Sequence, residues 1–280
     1  MMRLWVNGKL LDDPSAPAVS PVDHGLTVGD GAFETIKVTA GRPFALTRHL
    51  ERLRRSAVGL GLPEPDLDLV RKGVDEVIGE WTRTHPAGRL RITYTCGPAP
   101  LGSERAEVTP TTVIGITELE ERPVTTAVAT VPWPRNERGA RAGLKTTSYA
   151  ENVVALAHAV ERGASEALFA NTKGELCEGT GSNVFVVLGG RLLTPPLSSG
   201  CLAGVTRALV LEWCGAEEAD LPMDALTVAE EIFLTSTTRD VQGVHAVDGR
   251  AVGTPGTPGP RTAEALERFV QRAAQDHDPA

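Results

Sequence analysis

The sequence predicts an α/β (α+β) protein of two domains, and three observations support this prediction. The chain has 280 residues, of which 41% are hydrophobic, and this is enough apolar material for one or two packed cores. Segments with alternating polar and apolar residues predict strands, whereas apolar residues repeated every three or four positions predict helices, and the two kinds mix without a strict strand–helix–strand repeat. A charged run over 118–123 ends in a proline and predicts a boundary. We therefore expect an N-terminal domain over 1–119 and a C-terminal domain over 120–280.

These patterns predict the elements in chain order. In the N-terminal part, strands are expected over 3–6, 9–11, 32–39, 89–96 and 109–118, and helices over 45–60 and 66–83. In the C-terminal part, strands are expected over 127–131, 166–170, 183–187 and 231–234, and helices over 149–162, 205–213 and 261–275. The helix at 45–60 illustrates the argument, because Leu46, Leu50 and Leu53 recur at spacings of three or four and form one apolar stripe.

Composition excludes several classes of function. The 28 basic and 36 acidic residues give a formal charge of -8 and are interleaved, so nucleic acid is not expected as a partner. No segment has the roughly 20 uninterrupted apolar residues of a membrane span, and the N-terminus lacks an apolar signal core, so neither a membrane protein nor a secreted precursor is expected. The four cysteines lie far apart without metal-ligand spacing, which predicts reduced thiols in the cytoplasm and no metal site.

Lysine chemistry has few candidates, because the chain contains five lysines and 23 arginines. Lys145 stands out, since an apolar residue precedes it and Tyr149 follows four residues later. A site there could desolvate the ammonium group and lower its pKa, as a reactive amine requires. The alternative is a solvated lysine ahead of a helix that Thr147 or Ser148 caps.

Three further segments match what pyridoxal 5'-phosphate requires: an acidic partner for its ring and a cup for its phosphate. Glu178 lies in a glycine-rich turn before an apolar strand and could keep the pyridine nitrogen protonated. Gly204 precedes a helix whose free N–H groups favour an anion, and Thr206 adds a hydroxyl. The hydroxyl cluster at 235–238 follows another apolar strand. The alternatives are ordinary solvent-exposed turns.

Taken together, six segments occur in the order typical of one enzyme family. They are 28–34 (VGDGAFE), 49–53 (HLERL), 145–152 (KTTSYAEN), 178–185 (EGTGSNVF), 204–207 (GVTR) and 235–240 (TSTTRD). In these segments the chain resembles the class IV, fold type IV family of pyridoxal-phosphate enzymes. This family includes branched-chain aminotransferases, D-amino acid aminotransferases and aminodeoxychorismate lyases.

The resemblance implies a role for each matching residue. Lys145 would form the Schiff base with the cofactor, Glu178 would pair with the pyridine nitrogen, and Tyr149 would lie near the phenolic oxygen. The residues implied to contact the cofactor phosphate are Arg52, Val205, Thr206 and Thr237, with Thr238 as a neighbour. The resemblance further implies a small N-terminal α/β domain, a larger C-terminal domain with the cofactor between them, and a homodimer whose second subunit completes the site.

The substrate-binding residues are less clear from the sequence. Leu101 and Ser103 occupy the positions where D-amino acid aminotransferases carry an arginine and a histidine that bind carboxylate. Arg89 and Arg91 occupy the positions where branched-chain enzymes carry a tyrosine and an arginine. Because they are two residues apart on a strand, both point to one sheet face. We expect Phe33, Arg89 and Arg91 on the substrate side, with Arg91 meeting a carboxylate; the alternative is a solvated sheet face.

Two reactions remain open at this point. The leading prediction is a transaminase that moves an amino group between an amino acid, of the D-amino acid or branched-chain type, and a 2-oxo acid, with (R)-amines as further donors. Lys145 would act first as leaving group and then as general acid and base. The alternative is a lyase that uses Lys145 to release pyruvate and 4-aminobenzoate from 4-amino-4-deoxychorismate.

Overall fold

The computed structural model describes residues 1–105 and 107–280, and their contacts group them into two units. Unit 1 comprises Met1–Glu120, Leu144–Tyr149 and His277–Ala280, and unit 2 comprises Glu121–Gly143 and Ala150–Asp276. Lys145 therefore belongs to unit 1, although the residues on either side of its short segment belong to unit 2. The domain limits at 1–119 and 120–280 stay a prediction.

Unit 1 is built on a six-stranded antiparallel sheet. Its strands are β1 (Met2–Val6), β2 (Lys9–Leu10), β3 (Gly31–Thr39), β4 (Arg42–Pro43), β5 (Ala87–Thr95) and β6 (Thr111–Thr117), in the order β2-β1-β6-β5-β3-β4. Its helices are α1 (His24–Thr27), α2 (Leu46–Gly59) and α3 (Leu67–Trp81). The apolar stripes of α2 and α3 pack on one sheet face in a common core that includes Leu50, Val74, Ile36 and Leu90.

The two faces of this sheet carry different side chains, because successive residues of a strand point to opposite sides. On the face that meets α2, Glu34 and Ile36 of β3 are fully buried. The opposite face carries Phe33 and Thr35 of β3, and Thr35 lies directly across from Arg91 of β5. The predicted substrate residues therefore share a face that the helices leave open.

Unit 2 contains a nine-stranded mixed sheet. Its strands are β7 (Thr125–Thr130), β8 (Glu166–Ala170), β9 (Leu176–Gly179), β10 (Asn183–Leu188), β11 (Arg191–Thr194), β12 (Glu217–Glu218), β13 (Glu231–Ser236), β14 (Asp240–Val247) and β15 (Arg250–Ala251). The order is β12-β11-β10-β13-β14-β7-β8-β9, with β15 paired to β14. The helices are α4 (Ala150–Val160), α5 (Val205–Cys214), α6 (Ala225–Val228) and α7 (Pro260–Gln275).

The helices predicted over 45–60, 66–83, 149–162, 205–213 and 261–275 are all present, with ends shifted by at most two residues. Three strands of four or more residues were missed: β9, β11 and β14. Of these, β14 combines an aspartate, a glutamine and Gly243 with its apolar residues, so it lacks the continuous apolar run that marks a buried strand. Among the described residues, no helix is both long and apolar enough to cross a bilayer.

Candidate active site

The segment that carries Lys145 lies along the beginning of β3. The N–H of Phe33 donates to the Lys145 carbonyl at 3.1 Å, and the N–H of Thr147 donates to the Gly31 carbonyl at 2.8 Å. From the other side, the N–H of Lys145 donates to the Ser56 hydroxyl of α2 at 3.1 Å. The backbone of Lys145 is therefore held by both a strand and a helix, and this fixes the position of the Cα atom from which the side chain extends.

The ring of Phe33 brings together three residues that the sequence assigned to the site. The Lys145 Nζ lies 4.3 Å from the ring centroid, and the Arg91 guanidinium carbon lies 3.8 Å from it. The ring of Tyr149 meets the same ring edge-on, with 5.3 Å between centroids. Cations within about 6 Å of an aromatic centroid are attracted by the electrons of its face. Arg89 is two residues from Arg91, is exposed and lies across from Lys37.

Arg52 lies in a buried ionic cluster beneath this sheet. Its Nε and Nη2 donate to the two carboxylate oxygens of Glu34 at 2.8 and 2.7 Å, and His49 Nδ1 lies 2.7 Å from the same carboxylate. Burial raises the pKa of Glu34, but Arg52 and the hydrogen bonds from Arg52 and His49 outweigh it and bring the pKa to about 2. Burial lowers the pKa of His49, which favours the neutral imidazole, and the tautomer with a proton on Nδ1 donates to Glu34.

Glu34 was not identified as a functional residue from the sequence, although a signal was present. It lies between Ala32 and Ile36 on the core-facing side of β3, where a carboxylate needs a cationic partner. Arg52, predicted to contact phosphate, is thus oriented by a residue of the neighbouring strand. The phosphate contact itself stays a prediction.

In unit 2, Glu178 lies at the end of β9 and both of its oxygens have partners. Its Oε2 accepts the N–H of Leu202 at 2.8 Å, and its Oε1 lies 3.2 Å from Nε of Arg135. Arg135 also pairs with Glu151 at 2.6 Å, and its guanidinium carbon lies 4.1 Å from the Phe169 centroid. Glu178 is therefore a fixed carboxylate with a cationic neighbour. Nothing in the sequence distinguished Arg135 from the other arginines of 135–141.

The predicted phosphate cup begins at the N-terminus of α5. Val205 and Thr206 are the first two residues of this helix and are buried, and Gly204 precedes them without a side-chain cap. A Cβ at Gly204 would lie only 2.0 Å from the Asn183 Oδ1, so a side chain here would displace the Asn183 amide. The Asn183 amide donates to the Leu202 carbonyl at 2.9 Å, which ties this loop to the start of β10.

The second part of the cup is the turn between β13 and β14. Thr235 lies across from Asn183, and its hydroxyl oxygen is a buried atom without a hydrogen-bond partner among the described residues. Thr237 and Thr238 follow at half-buried positions, and the N–H of Arg239 donates to the Ser236 carbonyl at 3.2 Å. An uncapped helix N-terminus beside an unsatisfied hydroxyl fits an anionic group such as phosphate. The residues of unit 2 therefore fit pyridoxal 5'-phosphate.

Comparisons with known proteins identify the family. The family model for amino-transferase class IV matches residues 31–247. The chain is similar to a putative branched-chain-amino-acid aminotransferase of Methanocaldococcus jannaschii, with 31% identity over 96% of this chain and 95% of the relative. It is 33% identical to a bifunctional aminodeoxychorismate lyase / D-amino acid transaminase of Mycobacterium tuberculosis, over 97% of this chain and 98% of that protein.

A solved structure extends the similarity to the whole fold. It is a hypothetical aminotransferase from Mycobacterium tuberculosis in its PLP-bound form, with a TM-score of 0.86 and 28% identity over 99% of this chain and 100% of that chain. The predicted α/β (α+β) class of fold type IV is thereby confirmed. The chain belongs to the class IV aminotransferases, a family of enzymes that depend on pyridoxal 5'-phosphate.

Proposed function

We propose that the chain transfers an amino group between an amino acid and a 2-oxo acid at Lys145, with D-amino acids, branched-chain amino acids and (R)-amines as the candidate donors. The contacts of the Phe33 ring carry this proposal. They bring a lysine amine, an arginine guanidinium and a tyrosine ring to one aromatic side chain. An amine for chemistry and a cation for a substrate carboxylate are the two groups that such a reaction needs from the protein.

The residues proposed to hold the cofactor follow from their chemistry. Pyridoxal 5'-phosphate, when bound, supplies an aldehyde carbon that an amine can bond to and a ring that accepts electron density when a bond to the substrate Cα breaks. Glu178 holds a proton at the pyridine nitrogen, and Tyr149 lies at the phenolic oxygen. Arg52, Val205, Thr206, Thr237 and Thr238 bind the phosphate, since each offers a charged, N–H or hydroxyl donor.

Each of the protein side chains then has a separate role in the reaction. Arg91 binds the substrate carboxylate, and the Phe33 ring, whose centroid lies 3.8 Å from the guanidinium carbon, restricts the motion of the guanidinium. The Lys145 Nζ would take up the proton of the substrate Cα and give it back later in the reaction, which requires an amine that is neutral when the substrate is bound. The Arg135 guanidinium keeps the Glu178 carboxylate in a fixed orientation.

A lyase activity is the second candidate function. The relative from Mycobacterium tuberculosis carries both a lyase and a D-amino acid transaminase name. Both reactions begin with proton removal at Cα, so the residues above serve either one. In the lyase, 4-amino-4-deoxychorismate would lose pyruvate and leave 4-aminobenzoate. A homodimer that completes the site and a cytoplasmic location belong to the same proposal.

The visible absorption spectrum of the purified protein separates these outcomes. D-alanine, L-leucine and D-glutamate are added separately without a keto-acid acceptor. Loss of the visible band with one donor supports amino-group transfer, because without an acceptor the cofactor keeps the amino group after a single half-reaction. The donor that causes the loss shows which stereochemistry the enzyme prefers. A band that persists with all three donors, together with release of 4-aminobenzoate from 4-amino-4-deoxychorismate, supports the lyase instead.

A Lys145→Ala variant tests the role of the lysine in either reaction. We expect turnover to fall below detection and the visible band to be lost, because Nζ is both the group that bonds to the cofactor and the base. Lys173→Ala is the matched control, since Lys173 is an exposed lysine of unit 2. Equal activity in the two variants would contradict the assignment of Lys145.

A further inference from the structure

A buried carboxylate that plays no part in the proposed reaction lies behind the turn that follows Glu178. Glu166 is the first residue of β8 and is only 2% exposed. Its carboxylate accepts the N–H of Thr180 at 3.0 Å and the Ser182 hydroxyl at 2.9 Å, and it also accepts the Thr180 hydroxyl. The turn 179–182 is therefore wrapped around one carboxylate.

This turn leaves no room for a side chain at Gly179. A Cβ at Gly179 would lie 2.3 Å from the Ser182 Oγ and 3.1 Å from the Glu166 carboxylate carbon. From the other side, the Asn152 amide at the start of α4 donates to the Thr180 carbonyl at 2.7 Å. Because Glu178 directly precedes this turn, the contacts of Glu166 add to the β8–β9 pairing in fixing where the Glu178 backbone lies.

Arg239 connects the same carboxylate to the predicted phosphate turn. Its Nη2 lies 3.4 Å from the Glu166 Oε2 and 3.2 Å from the Ser165 carbonyl, and its Nη1 donates to the Gln242 side chain. Arg239 immediately follows Thr237 and Thr238 and precedes β14. In the sheet order β7 lies between β14 and β8, so this contact joins two segments that are not hydrogen-bonded neighbours.

The backbone at Arg239 closes the phosphate turn at the same time. Its N–H donates to both the carbonyl and the hydroxyl of Ser236, at 3.2 and 3.3 Å. The side chain and the backbone of one residue therefore fix the 235–239 turn to β8. The charges of Glu166 and Arg239 are almost completely removed from water, so loss of either partner leaves the other uncompensated.

We propose that Glu166 and Arg239 form a positioning pair, which sets the turn after Glu178 and the turn at 235–239 relative to each other, so that the two ends of the cofactor are bound together. This inference rests on the proposed cofactor contacts of Glu178, Thr237 and Thr238. Neither member of the pair touches the cofactor. Glu166 acts through Thr180 and Ser182, and Arg239 acts through the threonine turn.

The test compares the affinities for pyridoxal 5'-phosphate and for pyridoxal, which lacks the phosphate, after the cofactor of the purified holoenzyme has been removed. Arg239→Met is expected to weaken pyridoxal 5'-phosphate binding about tenfold or more, as loss of an outer residue that orients a site typically does. Pyridoxal binding should change much less, because the substitution loosens the turn that binds the phosphate and pyridoxal has no phosphate. Arg239→Lys should recover part of the lost affinity, because it restores the charge.

Glu166→Gln is expected to weaken binding of both ligands and to lower kcat, because Glu166 holds the turn after Glu178 as well. The matched control is Glu231→Gln. Glu231 begins β13, the strand that leads into the threonine turn, and its carboxylate accepts the N–H groups of Arg261 and Thr262 at 2.9 and 2.8 Å at the start of α7. This control should lower stability without changing the ratio of the two affinities.

Two results would overturn the proposal. One is that Arg239→Met binds both ligands as tightly as the wild type does, and the other is that Arg239→Met has the same ratio of the two affinities as Glu231→Gln. If Arg239→Met does not fold, Arg239→Lys decides by the same ratio. Failure of the proposed function is recognised separately, because it appears in the wild-type protein as a cofactor band that no donor or lyase substrate changes. The affinity ratios of the variants do not depend on that result.

Discussion

At the scale of single residues, Arg91 and Arg89 form a natural pair for testing the substrate assignment. They lie on the same strand and face, but Arg91 lies against the Phe33 ring whereas Arg89 lies across from Lys37. A guanidinium placed on a ring has lost part of its freedom before a carboxylate arrives, so less entropy is lost on binding. Arg91 is therefore the better candidate for the carboxylate.

Replacing Arg91 with Leu is expected to raise the KM for the amino donor about 10- to 100-fold, since a hydrogen bond to a charged group contributes about 1.5–3 kcal/mol. Steady-state kinetics with the preferred donor measure the change. Arg89→Leu on the same sheet face is the control and should have a smaller effect. An unchanged KM in Arg91→Leu would show that this guanidinium only covers a solvated sheet face.

The buried Glu34 carboxylate predicts a dependence of stability on pH. Its pKa in the folded chain is about 2, below the usual 4.5, because Arg52 and His49 stabilise the charged form more than burial opposes it. A carboxyl group with a depressed pKa stabilises the fold above pH 4.5 and loses that contribution as the pH falls toward 2. The shift corresponds to about 3 kcal/mol.

We therefore expect acid to destabilise the wild-type chain more than Glu34→Gln. The lowered pKa of His49 acts in the same direction, because the unfolded chain takes up a proton on this imidazole at a higher pH than the folded chain does. Denaturant unfolding between about pH 3 and pH 7 measures both effects. Parallel loss of stability in the two proteins would mean that the Glu34 cluster is not ionised as described.

At the scale of elements, helix α3 contains two glycines in opposite environments. A Cβ at Gly73 would lie 2.7 Å from Ile114 and 2.9 Å from Trp5, so this glycine allows the helix to lie directly on the sheet. Gly79 has nothing within 4 Å and is exposed. One glycine is required by packing, whereas the other only weakens the helix.

The two substitutions to alanine on this helix should therefore change the stability of the chain in opposite directions. Gly79→Ala is expected to stabilise the chain by about 0.5–1 kcal/mol, because alanine is the better helix former. Gly73→Ala should destabilise it by about 1–3 kcal/mol, because the added methyl group overpacks the contact with Trp5 and Ile114. Thermal unfolding of both variants gives the comparison, and a shift of the same sign in both would contradict this account of α3.

The elements also show which parts of the fold the sequence could predict. The Leu46, Leu50 and Leu53 stripe of α2 repeats within one helix, so local spacing was sufficient to find it. The strand β14 was missed because its neighbours, not its composition, determine its conformation: it pairs with β13 on one side and β7 on the other. Gly243 within it makes room for Pro258 and Thr125.

At the scale of the whole molecule, the residues of the candidate site fall into two groups: those that a local sequence pattern marks, and those whose role depends on a partner far away in sequence. Lys145, Glu178 and Thr206 could be singled out because each stands in a short local pattern. Their supporting residues could not, since Arg239 meets Glu166 from 73 positions away and Ser56 meets Lys145 from 89. The sequence alone thus predicted candidate catalytic and cofactor-binding residues, but not the side chains that orient them.

The longest of these connections joins the C-terminal residues to helix α2. The residue before this helix, Ala45, has a left-handed φ of 54° and no side-chain cap. The Asp278 carboxylate supplies the missing cap, because it accepts the N–H of Thr47 at 2.8 Å and the Thr47 hydroxyl at 2.6 Å. Ala45 itself donates its N–H to the His277 carbonyl at 2.7 Å.

Asp278→Ala is therefore expected to reduce the free energy of unfolding by about 1 kcal/mol, the usual contribution of a helix N-cap. Asp278→Asn should retain most of the stability, because the asparagine Oδ1 still accepts the N–H of Thr47 and the asparagine NH2 can donate to the Thr47 hydroxyl. Since α2 carries His49 and Arg52, loosening its first turn should also speed hydrogen exchange at the amides of Thr47 and Arg48 while those of α3 stay protected. Equal stability of Asp278→Ala and wild type would show that solvent caps α2 equally well.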